Sequence, residues 1–226
     1  MNWAVRKYPA QKYSLILWDH GIGILDPAWG KNAAWSTKDF LDLDPDMLTI
    51  NPRIQIDGIT TDISAASEFV AATETLFDTT TTSTRGILFN EHSRTYMDNA
   101  NLAQALSDIT TNVLKGKKLD LLGMDACLMA MVEVGYLARN SANLLVASQE
   151  VELAHGWNYA SLMSLLSTKN LSAAGVANGI VQSYDLLYKN KINFYTQSAI
   201  NLSLMQQIKN NTNNIVTAFK SCQQQD

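Results

Sequence analysis

The sequence predicts an α/β domain built on a mostly parallel sheet with helices on both faces. Three observations carry that prediction. Short runs that are apolar on both faces alternate with segments whose apolar residues recur three and four apart. The chain has 226 residues, 46% of them hydrophobic, which supports one sizeable core. Two of the apolar runs end abruptly on residues able to do chemistry, as strands of open parallel sheets often do.

The strand-like runs are SLILW (Ser14–Trp18), GILFN (Gly86–Asn90), LDLLGM (119–124) and NLLVAS (143–148). Between them, Leu102, Ala105, Leu106, Ile109, Val113 and Leu114 form a helical stripe, with Asn99 or Asn101 as start signal and Gly116 as stop. Further helices are predicted over about 128–139, 172–188 and 201–220, the last carrying Leu202, Met205, Ile208, Ile215 and Phe219 on one stripe. Residues 31–84 break the rhythm. Asp-Pro and Asn-Pro turns, a strand near 53–57 and an alanine-rich helix over 63–77 precede the polar run DTTTTSTR at 78–85, a candidate mobile loop. The chain therefore reads as a single domain over 1–226 with a divergent insertion at about 31–84.

Composition excludes several functions. A net charge of −4 leaves no broad basic surface for nucleic acid or anionic lipid. No apolar run approaches the ~18 residues of a membrane span, and the N-terminus shows no signal-peptide core. The two cysteines, Cys127 and Cys222, sit in unlike settings and do not suggest a disulfide scaffold. There is no G-x-S-x-G elbow, no third glycine after Gly21 and Gly23 for a dinucleotide loop, and no zinc spacing among His20, His92 and His155.

The chemistry gathers at two strand ends. SLILW runs into Asp19-His20-Gly21, and LDLLGM into Asp125-Ala126-Cys127. If those strands are neighbours, His20 and Cys127 meet at one sheet edge. A cysteine opening a helix has backbone N–H groups and the positive dipole end beside it, which favour thiolate. His20 is then placed as general base, and Gly21, without a side chain, lets its N–H join that of Cys127 toward an oxyanion. Each residue also has a plainer reading: Cys127 as core packing, His20 as a structural histidine, Asp125 as the N-cap of the helix beginning near Cys127.

LILWDHGIG resembles the histidine motif of the clostripain family of cysteine peptidases, and LDLLGMDACLMAMVEVGYLARNSANLLVASQEVELAHGWNY resembles its cysteine motif. WAVRKYPAQKYSL and TQSAINLS are similar to flanking family segments. The resemblance implies a caspase-like three-layer sandwich, in the group that includes gingipains, legumains and caspases. It implies endopeptidase cleavage after Arg or Lys by a dyad that maps to Cys127 and His20, with Asp125 and Ser148 assigned to substrate binding. It implies no cofactor; calcium is compatible with the family, although no site is identifiable. Secretion or a cell-envelope setting is compatible with it too. Family members carry one or two further N-terminal strands, so SLILW is expected to be an open edge for a second copy or for that missing portion. His155 stands where many members have an acid, and Arg85 offers a cleavage point before Gly86. The rival reading is a silent or truncated homologue acting as a binding or assembly subunit.

Overall fold

The computed structural model describes residues 1–21, 23, 53–56, 59–62, 86–90, 95–153, 156–168, 170–192 and 195–223. His155, Arg85, the run at 78–85 and the helix expected over 63–77 lie outside them.

Helix α1 (Asn2–Lys7) leads into β1 (Ser14–Trp18). Strands β2 (Arg53–Ile56) and β3 (Ile59–Asp62) pair antiparallel, as do β4 (Gly86–Asn90) and β5 (Thr95–Asp98). Helix α2 (Asn99–Asp108) continues through a π turn at Ile109–Val113 into β6 (Leu119–Asp125). The chain then runs through α3 (Val132–Ala138), β7 (Ala142–Ala147), α4 (Tyr159–Ser167), α5 (Ala173–Tyr188), β8 (Ser198–Asn201) and, after a short 3-10 turn, α6 (Met205–Gln223).

The main sheet has the order β1-β6-β7-β8, parallel through the first three strands and antiparallel at β8. Alternation divides the side chains between two cores. Leu15, Leu17, Leu122, Met124, Leu145 and Ala147 face one core, closed by α2, α3 and the start of α6. Ile16, Leu121 and Val146 face the other, closed by Trp157, α4 and α5. The predicted α/β class and the helix-covered, mostly parallel sheet are what the chain adopts. Register is pinned at the strand starts, where the Tyr13 backbone N–H donates to the Asp120 carboxylate (3.0 Å) and the Asp120 N–H donates to the Tyr13 carbonyl (2.9 Å).

Several details differ from expectation. GILFN forms a strand but belongs to the β4–β5 hairpin, and among the described residues it meets the β1 side through a bridge between Gly21 and Ile87. Leu88, in the left-handed region at φ +62, coincides with a register break after Ile87 and prevents a regular ladder. The cap of α2 is Asp98, whose carboxylate accepts the Asn101 N–H, rather than either asparagine. Gly116, at φ +87, closes the segment as expected. The stripe on α6 is buried only at its beginning: Met205 is in the core, whereas Phe219 is 68% exposed. At 1.5 Å per residue α6 is about 28 Å long, more than the short strand β8 before it can cover.

Candidate active site

Strands β1 and β6 lie side by side in parallel, with Trp18 opposite Asp125, and the ladder extends one step further through the Asp19 N–H to the Asp125 carbonyl (3.3 Å). The next residues on each strand, His20-Gly21 and Ala126-Cys127, therefore leave the sheet together. A cavity of about 190 Å³ opens there, lined by Trp18, Asp19, His20, Asp125, Ala126, Cys127, Glu152, Leu153 and Gly156. Three of the residues singled out from sequence thus share one crevice at the carboxyl ends of neighbouring parallel strands.

Gly21 packs against the same turn. A Cβ there would stand 2.6 Å from the Cys127 carbonyl oxygen and 2.9 Å from Met129 Cγ, so only glycine allows the two backbones this close. The His20 carbonyl accepts the Leu88 N–H (2.9 Å), which holds this strand end in place.

Cys127 does not open a helix. It lies in a turn, and α3 begins only at Val132, with no side-chain cap on its first turn. The reason is local pairing: the Leu128 N–H donates to the Glu150 carbonyl (3.1 Å) and the Ala130 N–H to the Ser148 carbonyl (2.8 Å). These bonds draw the chain alongside the segment after β7, and Leu128 adopts φ +61 to allow it. The dipole expected to favour thiolate is consequently absent from the thiol's immediate surroundings. Cys127 is 8% exposed; its sulfur accepts the Glu152 backbone N–H (3.2 Å) and lies 3.8 Å from the Glu152 carbonyl oxygen. Burial pushes the thiol up to about 12, aided by the nearby Glu152 and Asp125 carboxyls and opposed by the Glu152 N–H.

Asp125 is not a helix cap either. It is 3% exposed, and its Oδ2 accepts both the Trp157 backbone N–H (3.1 Å) and the Tyr159 hydroxyl (2.8 Å). Burial raises its carboxyl above the ordinary range, against the pull of those two donors. Gly156, at φ +58, lets the chain pass directly over this carboxylate: a Cβ would stand 2.5 Å from Oδ2. Ser148, assigned to substrate binding by resemblance, is not brought to the cavity. It is fully buried, its hydroxyl paired with Thr196 Oγ1 (2.9 Å) and accepting the Glu150 N–H (3.1 Å), so it ties the end of β7 to the segment before β8.

Sequence reasoning missed Glu152, Trp157 and Tyr159 as site residues. The G-W-x-Y run marked a region, but nothing in the spacing shows that it folds over Asp125. Glu152 between Val151 and Leu153 was the available signal: an acid in an apolar stretch. Among the described residues no group of three or more His, Cys, Asp and Glu is arranged to hold a metal ion, so no step is assigned to calcium.

A mostly parallel, helix-covered sheet with Cys127 and His20 at adjacent strand ends defines the caspase-like α/β class. A sequence model of the clostripain family matches residues 74–226. Among solved structures, the chain is similar to a secreted C11 cysteine protease of Bacteroides thetaiotaomicron, iotapain, with TM-score 0.52 and 18% identity over 91% of this chain and 43% of that one. It is likewise similar to an inactive zymogen C11 protease of Parabacteroides distasonis, with TM-score 0.50 and 19% identity over 91% of this chain and 38% of that one. At these identities the structures establish a shared fold, and the chain spans less than half the length of either. No curated protein matches. This chain belongs to the clostripain family.

Proposed function

We propose that the chain is the catalytic core of a cysteine endopeptidase that cleaves after arginine or lysine. The observation that carries this is the convergence of His20, Asp125 and Cys127 on one cavity where β1 and β6 end. Cys127 Sγ attacks the scissile carbonyl and its proton passes to His20, which later delivers a proton to the departing amine. The N–H groups of Gly21 and Cys127 receive the oxyanion, a role consistent with their close backbone approach. Water then attacks the thioester, with His20 again as base. A thiol held near 12 is almost wholly protonated at rest, so transfer to His20 accompanies substrate binding rather than preceding it. Asp125, buried beside the nucleophile, pairs with the cationic side chain before the scissile bond.

The test is a set of fluorogenic peptides differing only in the residue before the scissile bond. Wild type should hydrolyse the Arg and Lys members preferentially and Cys127→Ala should hydrolyse none. A specific observation favours a second reading, that of a catalytically silent homologue serving as a binding or assembly subunit. Cys127 is buried and its sulfur is engaged by the Glu152 backbone. On that reading both proteins leave every peptide intact.

The substrate reading comes with an assembly reading. β1 is the outermost described strand of the sheet, and its SLILW sequence is strongly apolar. We place a further strand there, from a second copy or from an additional N-terminal portion. Hydrogen exchange should show the outward amides of β1 protected under conditions where the chain sediments as a dimer or with that portion bound. Rapid exchange in a monodisperse monomer would remove the assembly reading.

A further inference from the structure

Glu152 is a buried carboxyl of the cavity with no part in the nucleophilic attack or the oxyanion site. It is 5% exposed and lines the crevice together with Asp125 and Cys127. Its Oε1 accepts the Trp157 indole N–H (2.7 Å) and the Gln197 side-chain amide (3.2 Å). Its Oε2 is buried and has no hydrogen-bond partner among the described residues. The Ala126 backbone N–H also favours the charged form of the carboxyl. The titratable groups around it are Asp125 on β6, Cys127 in the turn after it, Tyr159 on α4, and Tyr184 and Tyr188 on α5, with His20 and Asp19 across the cavity. Apart from His20, none of these can carry a positive charge. A buried carboxyl oxygen with no partner is costly whether or not it carries the proton, and the open cavity beside it is where a ligand's polar group would arrive.

Asp125 shows why a second acceptor is useful there. Its two donors among the described residues, the Trp157 N–H and the Tyr159 hydroxyl, both fall on Oδ2. A guanidinium has five N–H donors in a planar fork, more than one half-occupied carboxylate accepts. We propose that Glu152 is the second anchor for the substrate's cationic side chain, closing with Asp125 a two-carboxyl clamp on the group that enters beside Cys127. This rests on the reading of cleavage after basic residues and adds a specificity residue to it. Burial, and then the Asp125 charge, push the Glu152 carboxyl up to about 9, so with the cavity empty it is neutral near pH 7. An arriving cation reverses that balance: Glu152 gives its proton to solvent and keeps the negative charge opposite the ligand.

The test is calorimetric titration of the intact chain at pH 7.5 with Nα-acetyl-arginine amide and with its citrulline counterpart, which differs only in lacking the charge. Two buffers of different ionisation enthalpy count the protons released. Wild type should bind the arginine compound at least about tenfold more tightly and release close to one proton per ligand. Glu152→Gln keeps an acceptor for Trp157; it should lose about tenfold in arginine affinity, release no proton and leave citrulline binding nearly unchanged. A melting curve guards against misfolding. Glu152 is harder to ionise folded than unfolded, so its contribution to stability is full below about 4.5 and lost as pH rises toward about 9. Glu152→Gln should therefore melt higher than wild type at pH 8 and no higher at pH 4.5. If the variant keeps the arginine preference, or if wild type binds arginine without releasing a proton, the clamp is overturned and Asp125 is left as the single anchor. If wild type shows no arginine preference, the basic-specificity reading itself fails and the clamp with it.

Discussion

Replacing Cys127 with alanine should abolish peptide hydrolysis, a loss of roughly 10⁴-fold or more in kcat, and His20→Ala should do nearly the same. On the proposed mechanism both residues serve one proton-coupled attack, so the double variant should be scarcely worse than either single one. That non-additivity separates a working dyad from two independent structural roles, whose effects would add. The fold should survive each change. Cys127→Ala removes a sulfur that accepts the Glu152 backbone N–H, and His20→Ala retains the backbone carbonyl that accepts the Leu88 N–H. Steady-state kinetics and melting curves on the three variants provide the check; full activity in Cys127→Ala would end the peptidase reading.

The second large effect concerns charge. Removing the Asp125 carboxylate should cost Arg and Lys substrates on the order of 2–5 kcal/mol, or roughly 30- to several-thousand-fold in kcat/KM, and neutral substrates little. The structure governs which variant reads this cleanly. Asp125→Ala would strand the buried Trp157 N–H and the Tyr159 hydroxyl, so it should also destabilise the loop over the site. Asp125→Asn keeps an acceptor for both and removes only the charge. A selective loss in Asp125→Asn supports substrate pairing, and an equal loss on every substrate would assign Asp125 to holding the loop. Relief of the thiol should be minor, because Asp125 is the smallest of the influences that raise Cys127.

Much of this site was legible in sequence because its framework is periodic. SLILW and LDLLGM read as buried strands, and their ends carry His20 and Cys127; parallel pairing of β1 with β6 then brings the two together. The segment just after Cys127 departs from its helical pattern for a physical reason. LMAM has helical composition, but its amides pair with the Glu150 and Ser148 carbonyls, so tertiary hydrogen bonds overrode local propensity. The same contacts decide Ser148, whose hydroxyl serves Thr196 and Glu150 inside the fold. β8 escaped notice because four residues of SAIN are too short for alternation to register. Glu152 and the Trp157–Tyr159 cover on Asp125 depend on a loop crossing over the sheet edge, a long-range closure with no local signature.

Cys127 is expected to act as a nucleophile directed by a basic side chain in the neighbouring pocket. The most direct test is a peptide acyloxymethyl ketone ending in arginine, incubated with wild type and His20→Ala, with mass spectrometry locating the adduct. The expected result is a stoichiometric adduct on Cys127 and none on Cys222, greatly slowed in His20→Ala and when citrulline replaces arginine. Labelling that ignores the charge of that residue, or that falls equally on Cys222, would contradict it.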